Sequence, residues 1–166
     1  QTAKISDLCG AESMTFHAAF YMKDSPYDVF DLVQKSLNVI EERLNRLDIQ
    51  IELRPELTGK TSQFGSLEEL IDLTKSVSSC SPCMDFSHLF ARTNEYNTYE
   101  EFKVVLGKLK EEMDPNALQN MHIHISGISS NYKGDLKHLN LEDSDFNWRE
   151  LLRALKDFDC RGYIVC

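Results

Sequence analysis

Short apolar runs alternate with longer amphipathic stretches along this chain, and that alternation constrains its fold more than any other feature. Met14–Phe16, Ile49–Leu53, Cys83–Phe86, Met121–Ile125 and Gly162–Cys166 read as strands. Between them apolar residues recur at helical spacing. The first set is Val29, Val33, Leu37, Ile40, Leu44 and Leu47, and the second is Leu67, Leu70, Ile71 and Leu73. The third is Phe102, Val105, Leu106, Leu109 and Met113, and the fourth Trp148, Leu151, Leu152, Leu155 and Phe158. Three helix starts are marked. Ser25 precedes Pro26 as an N-cap before a first-turn proline, and Ser66-Leu-Glu-Glu69 and Thr98-Tyr-Glu-Glu101 are capping boxes. The residues leading to Phe16 read as the tail of a helix running into a strand. Strict βα alternation implies a parallel sheet with right-handed crossovers.

The expected class is therefore α/β. An open doubly wound sheet and an incomplete (β/α)8 barrel both fit the pattern. A complete barrel needs about 250 residues, so these 166 would form about five consecutive βα units with parallel strands. The chain opens on Gln1 inside the repeating pattern and ends on a strand, which reads as a piece of a longer protein. We expect residues 1–166 to form a single domain, an incomplete TIM barrel lacking its first units and its last strand or strands. Such a sheet has edges near Met14–His17 and Gly162–Cys166. The second is apolar with no charge after Arg161, so association through this edge is expected.

The polar residues placed at the ends of these runs carry the chemistry. His17, Glu56, Asp85, His88, His122, Asp135 and His138 all fall at or just beyond strand C-termini or in the long polar loop after Ile125. In a parallel α/β fold those positions share one face. One histidine at a strand end is ordinarily a hydrogen-bonded structural residue. Seven such residues on one rim point to a multi-metal site. His122 and His124 are two apart on one strand and so face the same side; one suffices as a ligand, leaving the other for a supporting hydrogen bond or for substrate. Glu56 can bridge two cations through its two oxygens. Lys60, Arg92 and Lys133 lie in loops on the same face, in reach of phosphate oxygens.

A net charge of −9 argues against nucleic-acid binding through a general basic patch, although bound cations would reverse the sign locally. The five cysteines form no secreted disulfide framework. Cys9, Cys160 and Cys166 are expected to be small buried hydrophobes. The lone Cys80-Ser-Pro-Cys83 reads as a turn leading into a strand. No apolar run is long enough to cross a bilayer, no membrane partner is expected, and the expected compartment is the cytoplasm.

The segments FHAAFY, ELRPELTGK, CMDFSH, MHIHISGI, KGDLKHL and SDFNWRELLRAL together resemble the endonuclease IV family. These are the family 2 apurinic/apyrimidinic endonucleases of the xylose-isomerase-like TIM-barrel superfamily, and the chain is most similar to their archaeal branch. The resemblance implies a zinc-dependent phosphodiesterase that hydrolyses DNA 5′ to abasic sites, as in base excision repair, with up to three zinc ions. His17 and Glu56 would hold the first zinc. Glu56, the catalytic carboxylate of this reading, would bridge to a second held also by Asp85 and His122. His88, Asp135 and His138 would hold the third. The family's D-x-H motif is one residue longer here, Asp135-Leu136-Lys137-His138. The remaining family ligands, a histidine on a preceding strand and a glutamate after Cys166, fall outside these residues. The 166 residues alone are therefore expected to be weakly active or inactive. Substrate contacts would fall to Lys60, Arg92, His124 and Lys133. Two other readings remain: a sugar isomerase or epimerase on the same barrel with one or two divalent metals, and a non-catalytic, metal-poor relative.

Overall fold

A computed structural model describes residues 1–114 and 116–166. The chain runs α1 (Thr2–Leu8), β1 (Ser13–Phe16), α2 (Pro26–Arg46), β2 (Glu52–Pro55), α3 (Leu67–Ser76), β3 (Cys83–Asp85) and α4 (Phe86–Thr93). It continues α5 (Tyr99–Glu112), β4 (Met121–His124), β5 (Gly127–Asn131), β6 (Gly134–Leu139), α6 (Trp148–Asp157) and β7 (Gly162–Val165), with 3-10 turns at Ala117–Gln119 and Leu141–Asp143. The caps act as the sequence suggests. Ser25 accepts from the Asp28 N–H, and both capping boxes close reciprocally at Ser66/Glu69 and Thr98/Glu101.

All five expected strands are parallel neighbours in chain order. β1 pairs with β2, β3 with β4 and β4 with β7. Parallel bridges Leu53↔Cys80 and Glu56↔Cys83 join β2 to β3. A doubly wound sheet would reverse its strand order at a switch point. Here the order runs β1-β2-β3-β4-β7 without reversal, which is barrel winding. The sheet also curls. Ser13 Oγ lies 3.5 Å from His122 Nδ1, and the Tyr163 hydroxyl lies 3.2 Å from Glu12 Oε2, so the first and last strands approach across the concave side. Leu53, Phe64, Leu70, Met84, Phe86, Phe102 and Leu106 are fully buried in the core. Phe86, Phe102 and Phe146 stack edge to face with centroids about 6 Å apart.

Four expectations need correction. The second strand starts later than Ile49, because the Ile49 N–H turns back to the Leu44 carbonyl and pairing with the first strand begins only at Glu52. Phe86 belongs to a helix, α4, which was not expected; the Asp85 side chain caps it by accepting from the His88 N–H at 2.8 Å. The long polar loop after Ile125 is an antiparallel hairpin, β5–β6. Its turn relies on Gly134, whose φ is +107° and where an added Cβ would lie 2.0 Å from the Gly59 carbonyl oxygen. Cys9 and Cys166 are exposed and Cys160 is half-buried, since Cys9 closes a short terminal helix and Cys166 follows an exposed edge strand paired on one side only. Cys80 and Cys83 are buried free thiols in a turn leading into β3.

Candidate metal centre

The C-terminal ends of the strands deliver the site. His17 directly follows β1, Glu56 directly follows β2, Asp85 ends β3, and His124 ends β4. The Glu56 N–H donates to the Phe16 carbonyl at 2.9 Å, which ties the tips of β1 and β2 together. Helix α4 starts on Asp85 and returns His88 to the same place within one turn. The Glu56 carboxylate stands at the centre. His17 Nε2 lies 3.5 Å from Oε2, while His88 Nδ1 and His124 Nδ1 lie 3.4 and 3.1 Å from Oε1. His88 Nδ1 is also 3.2 Å from Asp85 Oδ2 and 3.0 Å from the Leu57 carbonyl.

Electrostatics follow from burial. Glu56, Asp85 and His88 are 9%, 2% and 4% exposed. Burial pushes the Glu56 carboxyl up, but hydrogen bonds from His124, His17 and His88 outweigh it and hold the group well below the usual carboxylate range. Asp85 is raised, chiefly by desolvation. Burial opposes the charged form of His88, yet its contact with Glu56 and the charge of Asp85 raise it; for His124 the Glu56 contact dominates and also raises it.

His88 links this cluster to the hairpin. Its Nε2 faces His138 Nε2 at 3.4 Å. The additional residue between Asp135 and His138 is absorbed by a β-bulge: Asp135 pairs with Ser130, Lys137 with Ser129 and His138 with Ile128, leaving Leu136 unpaired. Ser130 and Ile128 are two apart and share a face, so their partners Asp135 and His138 share it as well. The Asp135 carboxylate packs on Gly59, where an added Cβ would lie 2.5 Å from Oδ1. No donor group within close range includes Asp135 among the described residues.

The other expected residues fall as follows. His124, not His122, stands beside Glu56 and Asp85. His122 sits one step lower on β4, and burial followed by the charge of His124 lowers its pKa. Lys60 and Lys133 are exposed on adjoining loops, which touch where the Thr61 N–H meets the Lys133 carbonyl. Arg92 lies in the last turn of α4 and not in a loop; it is half-buried, and its Nη1 donates to the Thr58, Lys60 and Gln63 carbonyls at 3.2, 2.6 and 3.1 Å. It clamps the loop that carries Lys60. Two neighbours escaped the sequence reading. Gln63, 3.5 Å from His17 Nδ1, carries no spacing signal. Cys83 faces the same concave side as Asp85 by strand parity.

The donor set fits a divalent metal. His17/Glu56/His88 and Glu56/Asp85/His124 each offer donor atoms within 4.8 Å of one another. Two donors at about 2.0–2.1 Å from one tetrahedral ion stand about 3.3 Å apart. The Glu56–His124 and His88–His138 separations of 3.1 and 3.4 Å are of that size. Mixed imidazole and carboxylate ligands suit zinc and its neighbours in the first transition row.

Comparison with known proteins agrees with this architecture. An uncharacterized protein of Methanocaldococcus jannaschii is 38% identical over all of this chain and 60% of its own length. A probable endonuclease 4 of Aster yellows witches'-broom phytoplasma is 25% identical over 86% of this chain and 49% of its own length. The chain thus spans about half to three-fifths of these relatives. Among solved structures, an AP endonuclease of family 2 from Brucella melitensis superposes with a TM-score of 0.67 at 11% identity, covering 99% of this chain and 58% of that one. A D-psicose 3-epimerase superposes at 0.64 and 14% identity, covering 98% and 52%. Both likenesses concern the fold. The family profile of AP endonuclease 2, described as a xylose isomerase-like TIM barrel, matches residues 1–166, and the chain belongs to that family.

Proposed function

We propose that this chain carries the metal centre of a zinc-dependent phosphodiesterase that cleaves DNA 5′ to abasic sites. The observation carrying the reading is the Glu56 carboxylate, buried at the C-terminal rim and approached by imidazoles from three separate elements. The likeness to a probable endonuclease 4 and to the fold of an AP endonuclease of family 2 supports it. His17, Glu56, Asp85 and His124 would hold the central ions. His88, whose Nδ1–H the Leu57 carbonyl accepts, would offer Nε2 to an ion shared with His138 and Asp135. Zinc, when bound, supplies Lewis-acid activation of the phosphodiester. The protein's own part is geometric. Burial excludes water around Glu56 and Asp85, and the Leu57 carbonyl orients His88. Lys60 and Lys133, exposed beside the hairpin turn, meet backbone phosphates. No helix is long and apolar enough to cross a membrane among the described residues. The free thiols fit a reducing cytoplasm.

A ketose epimerase is the second reading, because Glu56, Asp85 and His124 alone would serve a single divalent ion. The His88–His138 pair favours the phosphodiesterase, since it extends the donor set beyond what one ion needs. Incision of a duplex containing one abasic site, with zinc and after chelation, decides between them in a protein that includes these residues. Zinc-dependent cleavage 5′ to the site, lost in Glu56→Gln, supports the proposal. Ketose epimerisation without incision overturns it.

A further inference from the structure

We propose that Cys83, His122 and His124 form a further site for a thiophilic cation inside the curled sheet, beside the Glu56 cluster and sharing His124 with it. The three residues offer donor atoms within 4.8 Å of one another. Cys83 and His122 are register partners on adjacent parallel strands, and His124 lies two residues on from His122, on the same face. The His122 and His124 rings are 5.2 Å apart. Backbone pairing thus fixes all three side chains on one side without relying on a loop. The chemistry differs from that of the rim. A thiolate with two imidazoles selects softer ions, whereas the Glu56 cluster offers carboxylate and imidazole only.

The site has an approach from solvent. A cleft of about 340 Å³ between the strand edges is lined by Glu12, Ser13, His122 and Tyr163. It leads an ion from solvent to His122, the one of the three donors that lines it. The Cys83 side chain is wholly buried. On binding, its S–H proton leaves to solvent and the sulfur takes up the metal–sulfur bond.

His124 belongs to both clusters, and a neutral imidazole has one free lone pair. His124 can therefore serve an ion in only one of the two clusters at a time. A thiophilic ion held by His124 antagonises the rim site through that one side chain. The inference concerns the protein's own donors and stands whether or not the chain cleaves DNA.

Cobalt(II) is the probe, because a thiolate bound to it gives a charge-transfer absorption in the near ultraviolet that imidazole and carboxylate ligands do not. Titration of the chain with cobalt is expected to give this band. The band is expected to vanish in Cys83→Ser and in His122→Ala and to persist in Cys80→Ser. Far-ultraviolet circular dichroism confirms that each variant is folded, and His122→Ala, at a half-buried position, decides the matter if Cys83→Ser does not fold. A wild-type titration without the band, or a band that survives Cys83→Ser or His122→Ala, overturns the proposal.

Discussion

The strand-end cluster and the β5–β6 hairpin bring ligands to the same place by different means. Glu56, Asp85 and His124 sit at the tips of β2, β3 and β4, each of which has a parallel neighbour on both sides. Their positions are set by the sheet and by a core that includes Leu53, Met84 and Ile123. Asp135 and His138 sit on an exposed ribbon whose placement rests on a bulge at Leu136 and on Gly134 lying against Gly59. One set of donors is held by global packing and the other by local turn chemistry. Damage to the sheet should therefore disturb both, and damage to the hairpin should disturb only one.

His88 is the residue where the two meet, and its loss should have the largest effect. It touches Glu56 and Asp85 through Nδ1 and His138 through Nε2. Changing only a residue that supports a metal ligand typically costs about 10–100-fold in affinity. His88→Ala should therefore weaken zinc binding by about 10–100-fold at the Glu56 cluster and by more at the ion it shares with His138, read from equilibrium dialysis. A variant that keeps the wild-type isotherm would separate the clusters and break the comparison.

Gly134→Val tests the hairpin alone. The side chain would meet the Gly59 backbone at a positive φ, a strain of about 1–3 kcal/mol. Zinc held through His138 should be lost, while zinc at the Glu56 cluster stays. Denaturant unfolding together with metal content reads both quantities. Loss of all zinc would mean that the hairpin governs the whole centre.

The central cluster also has a pH signature in chelated protein. The folded pKa values of His88 and His124 are raised. Their contribution to stability is thus fully present below the ordinary histidine value, about 6.5, and is lost as pH rises through the folded values. Tm of the chelated protein should fall as pH is taken from about 6 through that range. Saturating zinc, which needs neutral imidazoles, should remove the trend. A chelated protein whose Tm rises over the same interval would contradict the placement of these rings beside Glu56.

The smallest effect distinguishes the edges of the fold from its centre. Cys9 and Cys166 are exposed, whereas Cys80 and Cys83 are buried, and burial pushes the Cys80 thiol up to about 12. Alkylation near pH 8 should label the first pair rapidly and leave the second intact until the protein unfolds. Mass spectrometry of the modified peptides checks this. Equal rates for all four would mean that β3 is not in the interior.

The contrast between the two regions also explains what the sequence disclosed. Period and capping are local signals, so the βα alternation and the caps at Ser25, Ser66 and Thr98 were legible, and so were the strand-end positions of Glu56 and Asp85. The hairpin was not, because Ser129-Ser130-Asn131 lacks apolar alternation and the bulge at Leu136 breaks its period. Helix α4 was hidden by its length and by its cap, since Asp85 reads equally well as a ligand. Parity puts His122 and His124 on one face but does not say which stands level with Glu56; that depends on the curl of the sheet. Arg92 reads as a surface cation until the loop carbonyls it binds are known.

The central claim is that Glu56 organises a metal centre from donors on separate strands. Zinc content per chain after dialysis, measured for the wild type and for Glu56→Gln, tests it most directly. Glutamine keeps the size and removes the charge that holds three imidazoles together. The account predicts bound zinc in the wild type and loss of at least the central ion in Glu56→Gln. Equal zinc in the two proteins would contradict it.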